Sequence, residues 1–445
     1  MQATVTAINK AEWAWVGLAL ALLAAVAVQP SIRGNDGVGH YAYLSALLRD
    51  GSLDLTDTYA RFDALKQYSY KFSGLPRSPV TGRPSNRYGI GAACLWAPFV
   101  LAAHGALKLA GSPQATALTR PYEWAVGLGT AFWASVGLAL IYGRLRRRLA
   151  PLACAAVAAG LVLATPLGFY MYAHGSMSHG VSFFAAAALL LGFERAWERP
   201  APARLAWCGF WAAWLVMCRF QDATWVIVAG AALAGRVVWL KRSGWVGILS
   251  FSGGFFAVFW VQMAVWNDLY GSWISGPMPY LDETAGTFSR WPMHALEALF
   301  SGRHGLLAWH PLIALGLAGL VWKRGMRNAE CGINFVGLAG FAAQLWIVGC
   351  WSMWWAGASF GNRFFISSLP WVGLGLGRLA EGLDTRRKKA VALGVLAVLV
   401  AWNMGLLVQY ATEMIPREEW VSWGRIARQN VVDVPGWVWG QITGK

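Results

Sequence analysis

The chain has 445 residues, of which 57% are hydrophobic and only 13% are Asp, Glu, Lys or Arg. A soluble domain is roughly one quarter charged, so this composition excludes two or three water-facing globular domains. The net charge of +16 does not imply nucleic acid, because the basic residues form short clusters between apolar runs, as topology determinants do. The 51 glycines and 28 tryptophans fit membrane helices and their interfaces. Cys94, Cys154, Cys208, Cys218, Cys331 and Cys350 are scattered without CxxC spacing, which argues against a disulfide framework or a zinc site. These features define an all-α polytopic membrane protein with the lipid bilayer as partner.

A spanning helix needs roughly 20 mainly apolar residues. In chain order the candidates are 13–30, 122–143, 151–172, 180–193, 205–218, 223–239, 245–266, 305–322, 331–350, 364–380 and 389–411, eleven in all. The runs 180–193 and 205–218 are short and are expected to extend into their flanks. The first run has only Lys10 before it in its basic flank and no obvious small-residue cleavage site, so it reads as a span rather than a signal peptide. A twelfth run, 91–110, carries Pro98, His104 and Lys108. No Walker or Rossmann fingerprint interrupts the series, which argues against an ATP-driven pump.

Charge decides between the arrangements. With eleven spans the clusters Arg144/Arg146/Arg147/Arg148, Arg195/Arg199/Arg204, Lys241/Arg242, Lys323/Arg324/Arg327 and Arg386/Arg387/Lys388/Lys389 all share one side with the amino terminus. The positive-inside rule makes that side the cytoplasm, and 91–110 is then an interfacial or re-entrant helix. The competing arrangement has twelve spans, an external amino terminus and the 31–88 loop inside.

In the eleven-span arrangement the uncommon polar residues gather outside. The external stretch 31–121 opens with Arg33-Gly-Asn-Asp36-Gly-Val-Gly-His40-Tyr41, and 38–49 is predicted to be one amphipathic helix with Leu44, Leu47 and Leu48 as its stripe and Gly51 as its stop. Asp36 lies near the start of that helix, where the dipole favours a carboxylate, and His40 shares its face. The plainer alternative is that Asp36 only caps the helix. Further on, Ser176-Met-Ser178-His179 opens the fourth span and Arg219-Phe-Gln221-Asp222 ends the fifth. The loop 267–304 carries Asp282, Glu283 and Arg290 and closes on Ser301-Gly-Arg303-His304. Trp354-Trp355-Ala-Gly357-Ala-Ser359-Phe-Gly361-Asn362-Arg363 opens the tenth span, with Gly357 and Gly361 allowing tight turns. Taken singly, a lone Arg snorkels, a lone His packs and a Trp pair belongs to the interfacial belt. Their convergence on one side favours a site.

The chemistry that suits this set is group transfer. A carboxylate in the external loop acts as general base on a hydroxyl or amine, and Arg and His hold a phosphate leaving group. No nucleotide reaches the outer face of a bacterial membrane, so an activated sugar there must be lipid-linked. No DxD or His/Asp cluster offers clear metal ligands, so no cofactor is expected, although a divalent metal fits such chemistry. Asp54, Asp57 and Asp63 read as a solvated loop face.

Five stretches then carry a resemblance. They are Asp36-Gly-Val-Gly-His40-Tyr41 with the following 47–56, Tyr88-Gly-Ile-Gly with Trp96-Ala-Pro98, Ser176-Met-Ser-His179, Leu299-Phe-Ser-Gly-Arg303-His304-Gly, and Ser359-Phe-Gly-Asn-Arg363. Together, over about 36–370, they resemble the bacterial GT-C-fold integral membrane glycosyltransferases that use polyprenyl-phosphate sugars. These are related to the dolichyl-phosphate-mannose-protein mannosyltransferases and aminoarabinose transferases. The resemblance implies a GT-C fold of about eleven transmembrane helices, a catalytic Asp in the first external loop (Asp36 here), and two juxtamembrane helices, matching 38–49 and 91–110. Asn35 stands beside Asp36 where the family often has a second acid.

The expected organisation is a transmembrane domain over 1–411 and an external tail over 412–445, whose Trp420, Trp423, Trp437 and Trp439 lie on the outer surface. The expected activity is inverting transfer of a sugar from a polyprenyl-phosphate-linked donor to a glycan, lipid or protein acceptor. The chain would sit in the bacterial inner membrane, amino terminus inside and active site periplasmic. Asp36 is the expected base; Arg363, Arg303, His304 and Arg87 would hold the donor phosphate; His40, Tyr41, His179, Arg219 and Gln221 would line the sugar and acceptor cavity. Two alternatives stand beside it. In a transporter or flippase of a lipid-linked or anionic envelope precursor, Arg219 and Arg363 would line a path and Asp36 would be dispensable. In a non-catalytic assembly partner, the polar residues would be packing.

Overall fold

Every apolar run becomes helical, because a segment surrounded by lipid must satisfy its backbone hydrogen bonds internally. The computed structural model describes residues 8, 10–65, 71–240, 244–275, 286–322 and 328–444; Lys241, Arg242, Asp282, Glu283, Lys323, Arg324 and Arg327 lie outside the described residues. The first helices are α1 (Lys10–Ala27), α2 (Gly34–Asp50), α3 (Thr56–Ala64), α4 (Gly91–Leu109), α5 (Arg120–Leu145), α6 (Pro151–Leu163), α7 (His179–Glu198), α8 (Pro202–Cys218), α9 (Ala223–Trp239) and α10 (Gly244–Tyr270). They are followed by α11 (Ala295–Phe300), α12 (Leu306–Trp309), α13 (Pro311–Val321), α14 (Asn328–Cys350), α15 (Leu369–Glu381), α16 (Arg386–Ala411), α17 (Trp423–Arg428) and α18 (Val434–Thr443). Among the described residues no strand forms, and isolated bridges pair Arg77 with Pro84 and Phe288 with Trp351.

Among the described residues, eight helices are long and apolar enough to cross a membrane: α1, α4, α5, α7, α9 with its preceding turn, α10, α14 and α16. The helix at 91–110, expected to be re-entrant, is one of them. The other expected spans fall on α6, α8, α13 and α15, of 13, 17, 11 and 13 residues. Several of these are broken for local reasons. Proline has no N–H to continue a helix, and at Pro311 the run 305–322 divides into α12 and α13. The run 364–380 starts as the tight turn Arg363–Ser368 before α15 begins. The two short runs lengthen as expected, to His179–Glu198 and Pro202–Cys218.

Two compact units are present, Asn9–Leu140 with Phe169–Ala285, and Met1–Ile8 with Ile141–Gly168 and Gly286–Lys445. In the first, the core is built around α2 and α4, with Val38, Tyr41, Ala42 and Trp96 fully buried. Here α2 departs from the expected amphipathic helix. It begins at Gly34 and is buried continuously from Gly37 to Ala46, while Leu47 of the expected stripe is exposed. Its small residues are the cause: a Cβ on Gly37 would meet Ser176 Oγ at 2.6 Å, and one on Gly39 would overlap the Tyr88 ring. Neighbouring segments therefore close on faces that a surface helix would leave to water or lipid. The end of α2 is as expected, with Gly51 at φ +62° donating its N–H to the Leu47 carbonyl at 3.2 Å.

In the second unit, α13 and α15 approach through glycines: a Cβ on Gly375 would overlap the Gly316 carbonyl. This small-residue contact is what lets membrane helices pack closely where burial from water supplies no drive. The segment after α16 folds back on it. Gln409 Nε2 donates to Asn430 Oδ1 at 2.6 Å and Asn430 Nδ2 to the Trp402 carbonyl at 3.0 Å, while Trp420, Trp437 and Trp439 stay exposed.

Gly375→Val is expected to destabilise the protein by ~2 kcal/mol or more through overpacking, read as a lowered thermal unfolding temperature. Gly394→Val is the control, because a Cβ at Gly394 on exposed α16 meets nothing within 4 Å. Equal shifts in the two variants would remove the glycine contact as the reason for the packing.

Candidate active site

Asp36 is the third residue of α2, after Gly34 and Asn35. A carboxylate there completes a capping box by reaching back to the N-cap amide, here that of Arg33. That amide instead donates to Ser176 Oγ at 3.1 Å, so the capping role is taken by another side chain. Asp36, half-buried, accepts a hydrogen bond from the Tyr88 hydroxyl at 2.6 Å through its Oδ1. Burial, with the negative charge of Asp36 next, holds the Tyr88 hydroxyl well above its ordinary range, so the phenol stays a neutral donor. Arg87 Nε donates to the same Tyr88 oxygen at 3.2 Å.

His40 lies one turn along α2 and is buried, its ring tilted against Tyr88 at 4.8 Å and edge-on to Trp96 at 6.3 Å. Its Nδ1 donates to the Gly89 carbonyl at 3.2 Å, which leaves Nε2 as the acceptor of a neutral ring. Burial pushes its pKa down to about 4, with the charge of Asp36 opposing and that of Arg219 assisting. Asp36 and Arg219 are thus both close enough to act on one imidazole.

Arg219 and His179 meet directly, Arg219 Nη1 donating to His179 Nδ1 at 2.7 Å, and both are buried. Three residues beyond each, Ser182 Oγ donates to Asp222 Oδ2 at 2.6 Å. His179 and Ser182 share one face of α7 by their spacing, and the turn Phe220–Asp222 presents its partners at the same interval. The result is a two-rung polar ladder. Gln221 is half-buried in that turn, its carbonyl accepting from Thr224 Oγ1 at 3.3 Å. Tyr41 stands apart from the group. Its ring is fully buried in the hydrophobic core, and its hydroxyl donates to the Ala117 carbonyl at 2.8 Å.

In the other unit, Arg303, His304 and Arg363 are brought together. The Arg303 guanidinium lies over the Trp355 ring at 3.6 Å. His304, in the left-handed region at φ +60°, places Nε2 2.8 Å from the Arg417 carbonyl. Burial lowers its pKa to about 4; the Arg417 carbonyl opposes this, and the charges of Arg303 and Arg363 lower it further. Gly361, at φ +64°, lies so close to His310 that a Cβ would overlap the imidazole, which explains the glycine just before Arg363.

Two kinds of residue escaped the sequence reading. Tyr88 stands in a stretch singled out only for resemblance, yet it is the partner of Asp36. The pairs His179/Ser182 and Arg219/Asp222 carry a readable signal, equal spacing on two elements, that pairs Ser182 with Asp222. Of the loop acids, Asp57 is exposed, as a solvated loop face implies, and each of the three also has local partners. Asp57 is ion-paired with Arg61 at 3.1 Å and Arg49 at 3.3 Å, and these partners hold it below the usual carboxylate range. Asp54 accepts from the Thr56 amide at 2.9 Å, and Asp63 from the Phe72 amide at 2.8 Å. Among the described residues, no three His, Cys, Asp or Glu side chains are placed to hold a metal ion.

The chain is similar in structure to ArnT from Cupriavidus metallidurans bound to undecaprenyl phosphate, with a TM-score of 0.50 and 12% identity over 91% of this chain and 71% of that one. It is also similar to the archaeal oligosaccharyltransferase AglB from Archaeoglobus fulgidus, in complex with an inhibitory peptide and a dolichol-phosphate, with a TM-score of 0.44 and 12% identity over 96% of this chain and 55% of that one. No family model and no curated protein sequence matches the chain. At such identity the likeness to the first is one of fold, and the fold is the GT-C arrangement of a multi-pass membrane protein.

Protonation gives a test of the two buried histidines. Each has a folded pKa near 4 against an ordinary 6.5. Between those values the unfolded chain binds more protons, so stability is complete above the ordinary value and falls as pH drops towards 4, by roughly 3 kcal/mol per site. His40→Gln is expected to flatten the acid limb of unfolding temperature against pH. An unchanged slope would mean that His40 is not among the groups responsible.

Proposed function

We propose that the protein is a membrane glycosyltransferase that moves a sugar from a polyprenyl-phosphate donor to an acceptor with inversion, Asp36 serving as general base. The observation that carries this reading is the Asp36–Tyr88 hydrogen bond in a half-exposed setting. The carboxylate is oriented by a neutral phenol, its capping role is filled by Ser176, and it remains within reach of a substrate. The GT-C fold supports the same reading. A protein of that fold, ArnT, has been seen bound to undecaprenyl phosphate, which makes a polyprenyl phosphate the natural donor class here.

In the proposed step the acceptor hydroxyl or amine gives its proton to the Asp36 carboxylate. The lone pair so released attacks the anomeric carbon, and the bond from that carbon to the phosphate oxygen breaks with its electrons going to the phosphate. Attack opposite the leaving group inverts the anomeric centre. Tyr88 fixes the plane of the base by donating to Oδ1. Arg87, bonded to the same phenol oxygen, supplies a guanidinium for the departing phosphate beside the base. His40, neutral above about pH 4, adds no positive charge that would weaken the base. Arg219 and His179 supply buried polar groups for the sugar and acceptor.

Arg303, His304 and Arg363 are assigned to donor phosphate as well, on the ground that two guanidiniums and an imidazole converge in one place. The site is assigned to the external side of the bacterial inner membrane, because a lipid-linked donor is the form of activated sugar available there. Acceptor classes consistent with this chemistry are a glycan, a lipid or a protein.

The test is turnover of the purified full-length protein with a panel of labelled polyprenyl-phosphate sugars. Asp36→Asn is expected to lose on the order of 10²- to 10⁴-fold in kcat while still binding donor. Tyr88→Phe should lose about tenfold, in keeping with one hydrogen bond. Arg363→Gln should raise the donor KM and leave kcat nearly unchanged. Wild-type turnover in Asp36→Asn would end the base assignment. Absence of turnover with every donor, together with full complementation by Asp36→Asn in cells, would end the transferase reading in favour of transport.

A further inference from the structure

A second charged site lies elsewhere in the unit containing Ile141–Gly168 and Gly286–Lys445. A narrow cleft open to the surroundings is lined by Arg144, Arg148, Arg378, Glu330 and Glu381. We propose that this cleft binds the phosphate headgroup of an anionic phospholipid.

Glu330 stands in the first turn of α14 and Cys350 is its last residue. At 1.5 Å per residue they are about 30 Å apart, the thickness of the hydrocarbon core. Beyond Cys350 the chain leads into the turns that carry Trp355 and Arg363. The cleft therefore sits at one polar boundary of the membrane, and the Arg303/His304/Arg363 set belongs to the other. Arg144 near the end of α5 and Arg378 near the end of α15 reach the same boundary.

Glu330 is buried and is paired with Arg148 and, at 3.7 Å, with Arg378; Arg148 also faces Glu381 at 3.6 Å. Three guanidiniums and two carboxylates line the cleft. The carboxylates hold the arginines in a fixed fan. Arg378 Nη1 is buried and has no hydrogen-bond acceptor among the described residues. A buried guanidinium donor without an acceptor is costly, and a phosphate oxygen is its natural complement.

The apolar part of the lining separates a lipid from a soluble anion. Leu145, Ile333 and Leu374 line the same cleft, and Phe335 on α14 is exposed. An apolar wall continuing into lipid-facing surface suits a headgroup with its acyl chains attached. Basic pockets between helices at a membrane boundary recognise anionic lipid headgroups by this combination.

The experiment measures thermal unfolding of the full-length protein in neutral detergent with added dioleoylphosphatidylglycerol, dioleoylphosphatidylcholine or inorganic phosphate. Phosphatidylglycerol is expected to raise the unfolding temperature by several degrees more than phosphatidylcholine, and inorganic phosphate to leave it unchanged. Arg378→Gln and, separately, Arg144→Gln should lose that specific rise. Arg386→Gln, at an exposed residue opening α16, should keep it. Should Arg378→Gln fail to fold, Arg144→Gln decides. Equal stabilisation by both lipids, stabilisation by inorganic phosphate alone, or a full phosphatidylglycerol rise in both variants would overturn the proposal and leave the cluster as an internal ion-pair network.

Discussion

The hydrogen bond from Tyr88 to Asp36 sets the terms for much of the unit that contains it. For the phenol to reach the carboxylate, its ring must lie directly on α2, and only a residue without a Cβ at position 39 leaves room. The segment before α4 is irregular, so its backbone groups need partners from elsewhere. They find them in side chains. Tyr43 donates to the Tyr88 carbonyl at 2.7 Å, Tyr270 accepts from the Asn86 amide at 3.0 Å, and Gln262 accepts from the Ile90 amide at 2.9 Å. Asn86 in turn donates to the Gly39 carbonyl at 2.8 Å. Gly89 and Gly91 let the segment press against the backbone at Met217. Residues from α2, α8 and α10 thus hold one phenol in place, which is a large structural commitment to a single carboxylate.

Other acids of the chain are held differently. Asp57 is bonded to guanidiniums, and a carboxylate so held is a weak base. Asp222 is buried and receives the Ser182 hydroxyl inside a closed ladder. Glu330 is buried among arginines. Asp36 receives a phenol that stays protonated, and it is half-exposed. The Tyr88 phenol gives Asp36 an orienting hydrogen bond and itself contributes no positive charge.

The fold was largely legible in the sequence because its signals are local. Apolar runs mark helices, and Gly51 and Gly361 mark positive φ, each by a property of one residue and its neighbours. The length of individual spans was less legible. Whether 305–322 or 364–380 runs straight depends on how neighbours replace missing backbone bonds, and hydropathy does not register that. The burial of α2 was misread for a related reason. Its glycines look like helix weakeners in sequence, whereas they are contact points for Ser176 and Tyr88, which lie far along the chain. Of the site, Asp36, His40, Arg219 and His179 announced themselves as rare polar residues in apolar surroundings. Tyr88 could not, since a tyrosine near a helix start is ordinary until its partner is known. Tyr41 shows the converse: a motif neighbour of His40 turns away into the core because adjacent helical residues point about 100° apart.

The two charged groups in the unit of α13–α16 follow different rules, and the difference bears on what each is for. At the Arg148/Glu330/Arg378 end, carboxylates and guanidiniums pair and partly cancel, and the residual charge is small and fixed in geometry. At the Arg303/Arg363 end, an aromatic face and a buried neutral imidazole take the place of closely paired carboxylates: Arg303 lies on Trp355, and His304 is kept uncharged by burial and by the two arginines. An aromatic ring stabilises a guanidinium without occupying its N–H fork, so Arg303 can still turn donors toward a phosphate. A guanidinium fork paired with carboxylates keeps fewer donors for a ligand, as Arg378 keeps Nη1. The first arrangement suits a ligand that stays bound and steadies the fold. The second leaves the guanidinium donors of Arg303 free of carboxylate ion pairs among the described residues, as the donor-phosphate role proposed for it requires.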